Sequence, residues 1–331
     1  MTKNAILNIL SFIAEGKYML NYINEFFNEF ELSSTERVTL AIAYEKMREN
    51  GEAYDRLMRL ISEYEKDMKF LATVQHSEIE AIANLAGVHK DTTQLLVLIC
   101  MTRKLKERLL GLGLSKKNVY LTVSDLIYKM RENERTVNIV GTNKWVWYSR
   151  FFTPSIFAIG RLQFELATYT DEPYEKDGKS IRKGDPVLKV HIPKSGEPLD
   201  EKACSASYRD AKKFFTNLLG IDDIAITCTS WLLSPFHTEV LGEKSNIVKF
   251  ASRYNITNVV EYEVNTGIYP WLFDVSPDTP LEKLPRNTTL RRAYAELFEK
   301  GGKALSGSGI FFLEPPKPKA KKASPDAVTA E

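Results

Sequence analysis

Residues suited to acid–base or nucleophilic chemistry are few in this chain: four histidines and three cysteines among 331 residues. His191 stands out by position. It lies at the end of the alternating stretch Val187-Leu-Lys-Val-His-Ile192, on the polar side with Lys189 and directly before Ile192-Pro-Lys-Ser-Gly196, where open α/β sheets often place reactive groups. The alternative is a histidine satisfied by one hydrogen bond at a strand end. Glu165 lies on the polar side of the preceding alternating stretch, so strand pairing would send it, with Lys189 or His191, into one cleft. There the carboxylate would orient the imidazole or act as base itself. Otherwise it forms a cross-strand ion pair with Lys189 on a solvated face, worth about 0.2–1 kcal/mol.

The remaining candidates carry less. His76 and His89 sit near helix starts and read as surface or capping groups, while His237 follows Ser234-Pro-Phe in a loop. Cys204 and Cys228 have no base beside them in sequence and read as buried, inert thiols. Lys194-Ser-Gly-Glu-Pro-Leu-Asp200 joins a strand to a helix whose free amides would suit a phosphate, but Glu197, Asp200 and Glu201 would repel one. An ordinary connecting loop is the reading on these residues alone. No metal motif, Walker loop, dinucleotide glycine fingerprint or Gly-x-Ser-x-Gly elbow occurs. No metal is expected, and nucleotide hydrolysis and hydride transfer are disfavoured.

The elements that must position these groups follow from periodicity. Residues 1 to about 140 carry helix starts at Ser33-x-x-Glu36 and Ser77-x-x-Glu80, with looser relatives at Asp91-x-x-Gln94 and Thr122-x-x-Asp125. Each opens a helical apolar pattern, and Gly87, Gly111 and Gly113 supply stops, so five to seven helices are expected. The apolar residues Ile6, Ile9, Leu10 and Ile13 predict a core-facing first helix. From about Trp145 the period becomes two. Strands are expected at Trp145–Phe152, 161–166, Val187–Ile192, Ile224–Leu233, Val259–Val264 and Ile310–Leu313. Helices are expected at Cys204–Leu219, Lys244–Arg253 and Thr289–Lys300, and an exposed turn at Tyr169–Asp185. In this scheme Trp231 is a buried strand residue, and the aromatic cluster Trp145, Trp147, Tyr148, Phe151 and Phe152 is packing. The fold class is α+β (α/β): a helical domain over 1–140, a mixed sheet with covering helices over 141–314, and a basic, disordered tail over 315–331.

Forty-five basic and 43 acidic residues leave a net charge of +2, which gives no footprint for a phosphate backbone, so no nucleic acid is expected. The longest apolar run, Leu95 to Met101, is far too short to span a bilayer, so no membrane partner is expected. Three widely spaced cysteines fit neither a disulfide framework nor a zinc site, and the cytoplasm is the expected compartment.

Several strings together resemble a bacterial family of acyltransferases. They are Gly160-Arg-Leu-Gln-Phe-Glu165, His191-Ile-Pro193, Gly196-x-x-Leu199, Ser207-Tyr-Arg-Asp-Ala-Lys-Lys-Phe-Phe215, Cys228-x-Ser-Trp-Leu-Leu-x-Pro235 and Leu241-x-x-x-Ser-Asn246. In that family a helical amino-terminal domain precedes a domain similar to the GCN5-related N-acetyltransferase fold. The resemblance implies that His191 ends the central strand and that residues 194–207 hold the turn for acyl-coenzyme A. Lys194, Ser195, Gly196, Ser205 and Ser207, with Asn246 beyond, would then bind the cofactor. It also implies Glu165 or His191 as base and Tyr254 as the acid for the departing thiolate. Two departures stand out: the Gln/Arg-x-x-Gly-x-Gly/Ala loop is missing, and Tyr254 lies eight rather than seven residues after Asn246.

The leading expectation is an acyltransferase that moves an acyl group from acyl-coenzyme A to an amine or similar small-molecule acceptor. Its rivals are a non-catalytic binding module that kept the fold, and a hydrolase pairing Glu165 with a second carboxylate.

Overall fold

The computed structural model describes residues 18–313 other than 222 and 263. The expected first helix around Ile6 to Ile13 and the tail over 315–331 lie outside the described residues.

Among the described residues, six α-helices cover the amino-terminal region: α1 (18–29), α2 (Ser34–Glu49), α3 (Gly51–Lys66), α4 (His76–Ala86), α5 (Lys90–Gly111) and α6 (Lys116–Val137). Ser33 forms the expected capping box: its amide donates to Glu36 Oε2 at 2.6 Å, and the Glu36 amide donates to Ser33 Oγ at 3.2 Å. The other three proposed starts need correction. The cap of α4 is Gln75, that of α5 is His89, whose Nδ1 accepts from the Asp91 amide, and that of α6 is Ser115. Thr122 and Asp125 lie mid-helix in α6. A hydroxyl and a carboxylate three apart are also neighbours inside a helix, so the spacing alone does not mark an end.

The sheet runs in the order β1-β2-β5-β6-β8-β7, built from β1 (Ile156–Ile159), β2 (Leu162–Thr168), β5 (Pro186–His191), β6 (Ala225–Ser230), β7 (Asn255–Glu261) and β8 (Leu305–Phe312). Only β5 and β6 pair in parallel. The expected turn at Tyr169–Asp185 contains a small hairpin, β3 (Tyr174–Lys176) and β4 (Lys179–Ile181), closed by Asp177 and Gly178 with φ of 53° and 75°. Helices α8 (Glu201–Leu219), α9 (Phe236–Leu241), α10 (Asn246–Ala251) and α11 (Thr289–Glu299) fill the connections.

Two strand expectations are overturned. Trp145–Phe152 is helix α7, whose buried residues Trp145, Tyr148 and Phe152 recur at three and four, so the period of two begins only after it. β6 stops at Ser230, and Trp231–Leu233 is a turn of 3₁₀ helix in which Ser230 Oγ accepts from the Leu232 amide. Trp231 is half-buried, edge-on to His237 and Tyr294, rather than locked inside the sheet.

Pleating gives the sheet two faces. Phe157, Phe164 and Phe311 turn towards α8, where they meet Phe215 and Tyr208. Ala158 and Gln163 turn towards α6: the Ala158 amide donates to Thr122 Oγ1 and Gln163 Nε2 to Asp125 Oδ1. The polar side of β2 is therefore not solvated. Gln163 is 1% and Glu165 8% exposed, because α6 and α7 cover this half of the sheet.

Candidate active site

Glu165 and His191 project from neighbouring strands on the face that α6 and α7 cover. Their Oε2 and Nε2 atoms stand 2.7 Å apart. From α7, Arg150 Nη1 reaches both Glu165 oxygens, at 3.1 and 2.9 Å. The Arg150 guanidinium lies 4.5 Å over the Trp147 ring, and that ring stands edge-on to His191 at 4.9 Å. Trp147 is fixed in turn by its Nε1–H, which donates to Asp125 Oδ2 at 2.9 Å. Burial pushes the Glu165 carboxyl up. The hydrogen bond from His191 and the charges of Arg150 and His191 outweigh it, so the group is held below the ordinary carboxylate range.

Only His191 of this pair reaches the open cleft, a cavity of about 240 Å³ over the uncovered half of the sheet. Its lining includes Lys189, Thr227, Thr229 and Ser308 from the strands and Tyr169 and Asp171 from the loop after β2. The cleft straddles the place where β5 and β6 separate. Their parallel ladder covers only Val187–Lys189 and Ala225–Thr227, although β5 runs on to His191 and β6 to Ser230. Past Lys189 and Thr227 the two strands no longer pair with each other.

The turn after His191 is held from within. Arg161, 9% exposed, donates to the carbonyls of Pro193, Glu197 and Pro198 at 3.2, 2.9 and 3.0 Å. Asp200 caps α8 through the Ala203 amide at 2.9 Å. Lys194 Nζ is bonded to the Pro270 carbonyl and to Asp274, which also pairs with Arg135 and Arg291. Ser195 Oγ accepts from the Glu197 amide, and Gly196 is exposed with φ of 82°. Ser205 is committed to Arg253 and the Glu201 carbonyl. Ser207 Oγ accepts the Arg161 amide and donates to the Ala203 carbonyl. Asn246 is exposed in the first turn of α10.

Tyr254 is not brought to the pair. It lies on the α8 side of the sheet, its hydroxyl 2.6 Å from that of Tyr208, and burial pushes its phenol far above the ordinary range. Cys228 and Cys204 are buried, and burial pushes the Cys228 thiol up to about 12. Sequence reasoning missed Arg150, Trp147, Asp125 and Arg161. The first two were legible as one face of a helix, since they are three apart, but only once 145–152 is read as helical.

Residues 156–311 match the family model of the GNAT-like C-terminal domain. No match is found among curated proteins. Among solved structures, the chain is similar to an acyltransferase in complex with decanoyl-CoA and teicoplanin, with a TM-score of 0.70, 21% identity, and 88% of this chain and 87% of that chain covered. It is also similar to an acyltransferase in complex with decanoyl-CoA alone, with a TM-score of 0.69, 22% identity and coverage of 87% and 86%. Residues 156–311, which match the GNAT-like C-terminal domain model, fold into a mixed sheet whose two parallel strands diverge, set behind a helical amino-terminal region.

Proposed function

We propose that the protein is an acyltransferase that moves an acyl group from acyl-coenzyme A to the amine of a small-molecule acceptor. The observation that carries this reading is His191: it lines the cleft where β5 and β6 part, with Glu165 bonded behind it. Similarity to acyltransferases crystallised with decanoyl-CoA or octanoyl-CoA supports acyl-coenzyme A as donor. A pantetheine arm entering between the separated strands would find backbone groups there with no partner across the gap, suited to hold an amide chain and to polarise a thioester carbonyl.

Glu165 holds the imidazole through Nε2, which leaves Nδ1 to take the proton of the attacking amine. The new C–N bond forms as the C–S bond breaks, and the proton taken by His191 returns to the thiolate, so the products are an amide and the free coenzyme A thiol. Holding both substrates in one cleft supplies much of the acceleration. Tyr254 is not needed as acid, since its hydroxyl is engaged with Tyr208 on the other face. Lys194, Ser195 and Gly196 are proposed to meet the donor's phosphates, with Lys194 released from Asp274 and the Pro270 carbonyl as the donor binds; Ser205 and Ser207 are spent on internal hydrogen bonds within the fold. Asn246 is proposed as a further contact from α10. Three buried free thiols suit a reducing compartment such as the cytoplasm.

A second reading, a non-catalytic binding module, is favoured by one observation. The turn after His191 aims carbonyls at Arg161, and α8 is capped by Asp200, so the phosphate site is not preformed. Thiol release from acetyl-, octanoyl- and decanoyl-CoA with a panel of small amines separates the two. Acceptor-dependent release supports the transferase. Ligand-induced thermal stabilisation with no release under any acceptor supports the binding module.

A further inference from the structure

We infer that Arg150 is a positioning residue that sets the pH range in which the Glu165–His191 pair works, by sharing the carboxylate with the imidazole. The inference rests on the acyltransfer reading above.

Glu165 Oε2 receives two donors, His191 Nε2 at 2.7 Å and Arg150 Nη1 at 2.9 Å. The guanidinium is charged at every accessible pH, whereas the imidazole is charged only when protonated. A carboxylate facing the imidazole alone would be its full counter-ion and would favour the imidazolium, which cannot accept a proton. With Arg150 on the same oxygen, the negative charge is already met. Glu165 is then left mainly as the acceptor that fixes the Nε2–H tautomer.

The placement of Arg150 supports a purpose beyond a surface ion pair. Its Nε is buried with no partner, a cost that the contacts with Glu165 and the Trp147 ring must offset. The other charges around the pair are differently disposed. Lys189, opposite Glu165 in register, is exposed; Asp125 of α6 is engaged with Trp147 and Gln163; Asp171 lies across the cleft. Arg150 is thus the permanent cation in direct contact with the carboxylate, and it comes from helix α7 rather than from a strand of the sheet.

The experiment compares wild type with Arg150→Lys, Arg150→Gln and Arg150→Met in two readouts: the acid limb of kcat/KM against pH, and the NMR titration of the His191 ring. Loss of the charge, in Arg150→Gln or Arg150→Met, should move both midpoints to higher pH by about one unit. Arg150→Lys keeps the charge and should leave both midpoints within a few tenths of wild type while turnover drops, because an ammonium cannot reproduce the planar contact. Either neutral variant suffices should the other not fold. Unmoved or lowered midpoints in the neutral variants, or a lysine variant that shifts as they do, would overturn the inference. Should wild type turn over no acyl-CoA, the acyltransfer reading falls, and the ring titration alone still decides what Arg150 does.

Discussion

The bond between His191 and Glu165 is diagonal. In the β2–β5 ladder Glu165 stands opposite Lys189 and His191 opposite Gln163, yet the 2.7 Å contact joins Glu165 to His191 two positions along. Same-face side chains two positions apart are within reach of long groups, and the helices above decide which neighbour is chosen. Arg150 and Trp147 press the carboxylate and the imidazole together, while Lys189 points to solvent.

If His191 is the base and Glu165 its orienter, His191→Ala should lower turnover by about 10²–10⁴, and Glu165→Gln by a similar factor. The double variant should lose little more than either single one, since the two act as a unit. Steady-state turnover of decanoyl-CoA with a working amine provides the check. Fully additive losses would separate the two residues.

His237 is buried, with Nε2 2.9 Å from the Tyr294 hydroxyl, and burial pushes its imidazole down to about 4. The folded protein therefore prefers the neutral form, and the unfolded chain binds the extra proton. The stability held by this group is complete above the ordinary value near 6.5 and is lost as pH falls towards 4, by up to about 1.4 kcal/mol per unit. Glu165 and Asp274, both held below the usual carboxylate range, add their losses at lower pH. Urea midpoints measured from pH 7 to 4.5 should fall in wild type and fall less in His237→Gln.

Trp231→Ala should cost about 2 kcal/mol, less than the ~3–5 kcal/mol of a fully buried tryptophan, because one side of the ring is open. Chemical denaturation measures the loss. A cost above about 4 kcal/mol would mean that its packing on His237 and Tyr294 is tighter than its half-burial indicates.

Arg161 holds three carbonyls of the turn after His191, so Arg161→Met should leave them without their donor and destabilise the protein by about 2–4 kcal/mol. It should also raise KM for acyl-CoA more than it lowers kcat, since the turn directly follows His191 and is proposed to meet the donor. A change confined to kcat would detach the turn from donor binding.

Gly160 has φ of 63°, and a Cβ there would sit 2.7 Å from Ser207 Oγ, the atom that receives the Arg161 amide. Gly160→Ala should therefore cost about 1–3 kcal/mol through strain and the displaced serine. Ser207→Ala should recover part of that cost in the double variant, which thermal denaturation can test.

Much of the architecture is local in origin and was legible in the amino-acid sequence. The alternation of 161–166 and 187–192 specifies strands, the Ser33 box opens α2, and the Gly87 stop closes α4 with φ of 60°. Glu165 and His191 could be nominated because a period of two puts both on the polar side of neighbouring strands. What alternation cannot say is what covers that side. The same pattern describes a solvated face and one roofed by a helix bearing Trp147 and Arg150, since the roof comes from a separate segment whose docking is a long-range contact. Tyr254 illustrates the converse: the family resemblance nominated it despite its spacing from Asn246, and pleating and packing put its hydroxyl against Tyr208 on the far face. The Glu165–His191 pair is thus a property of the strands, whereas its partners, its charge balance and its access to the cleft were decided only when the helices closed over one half of the sheet.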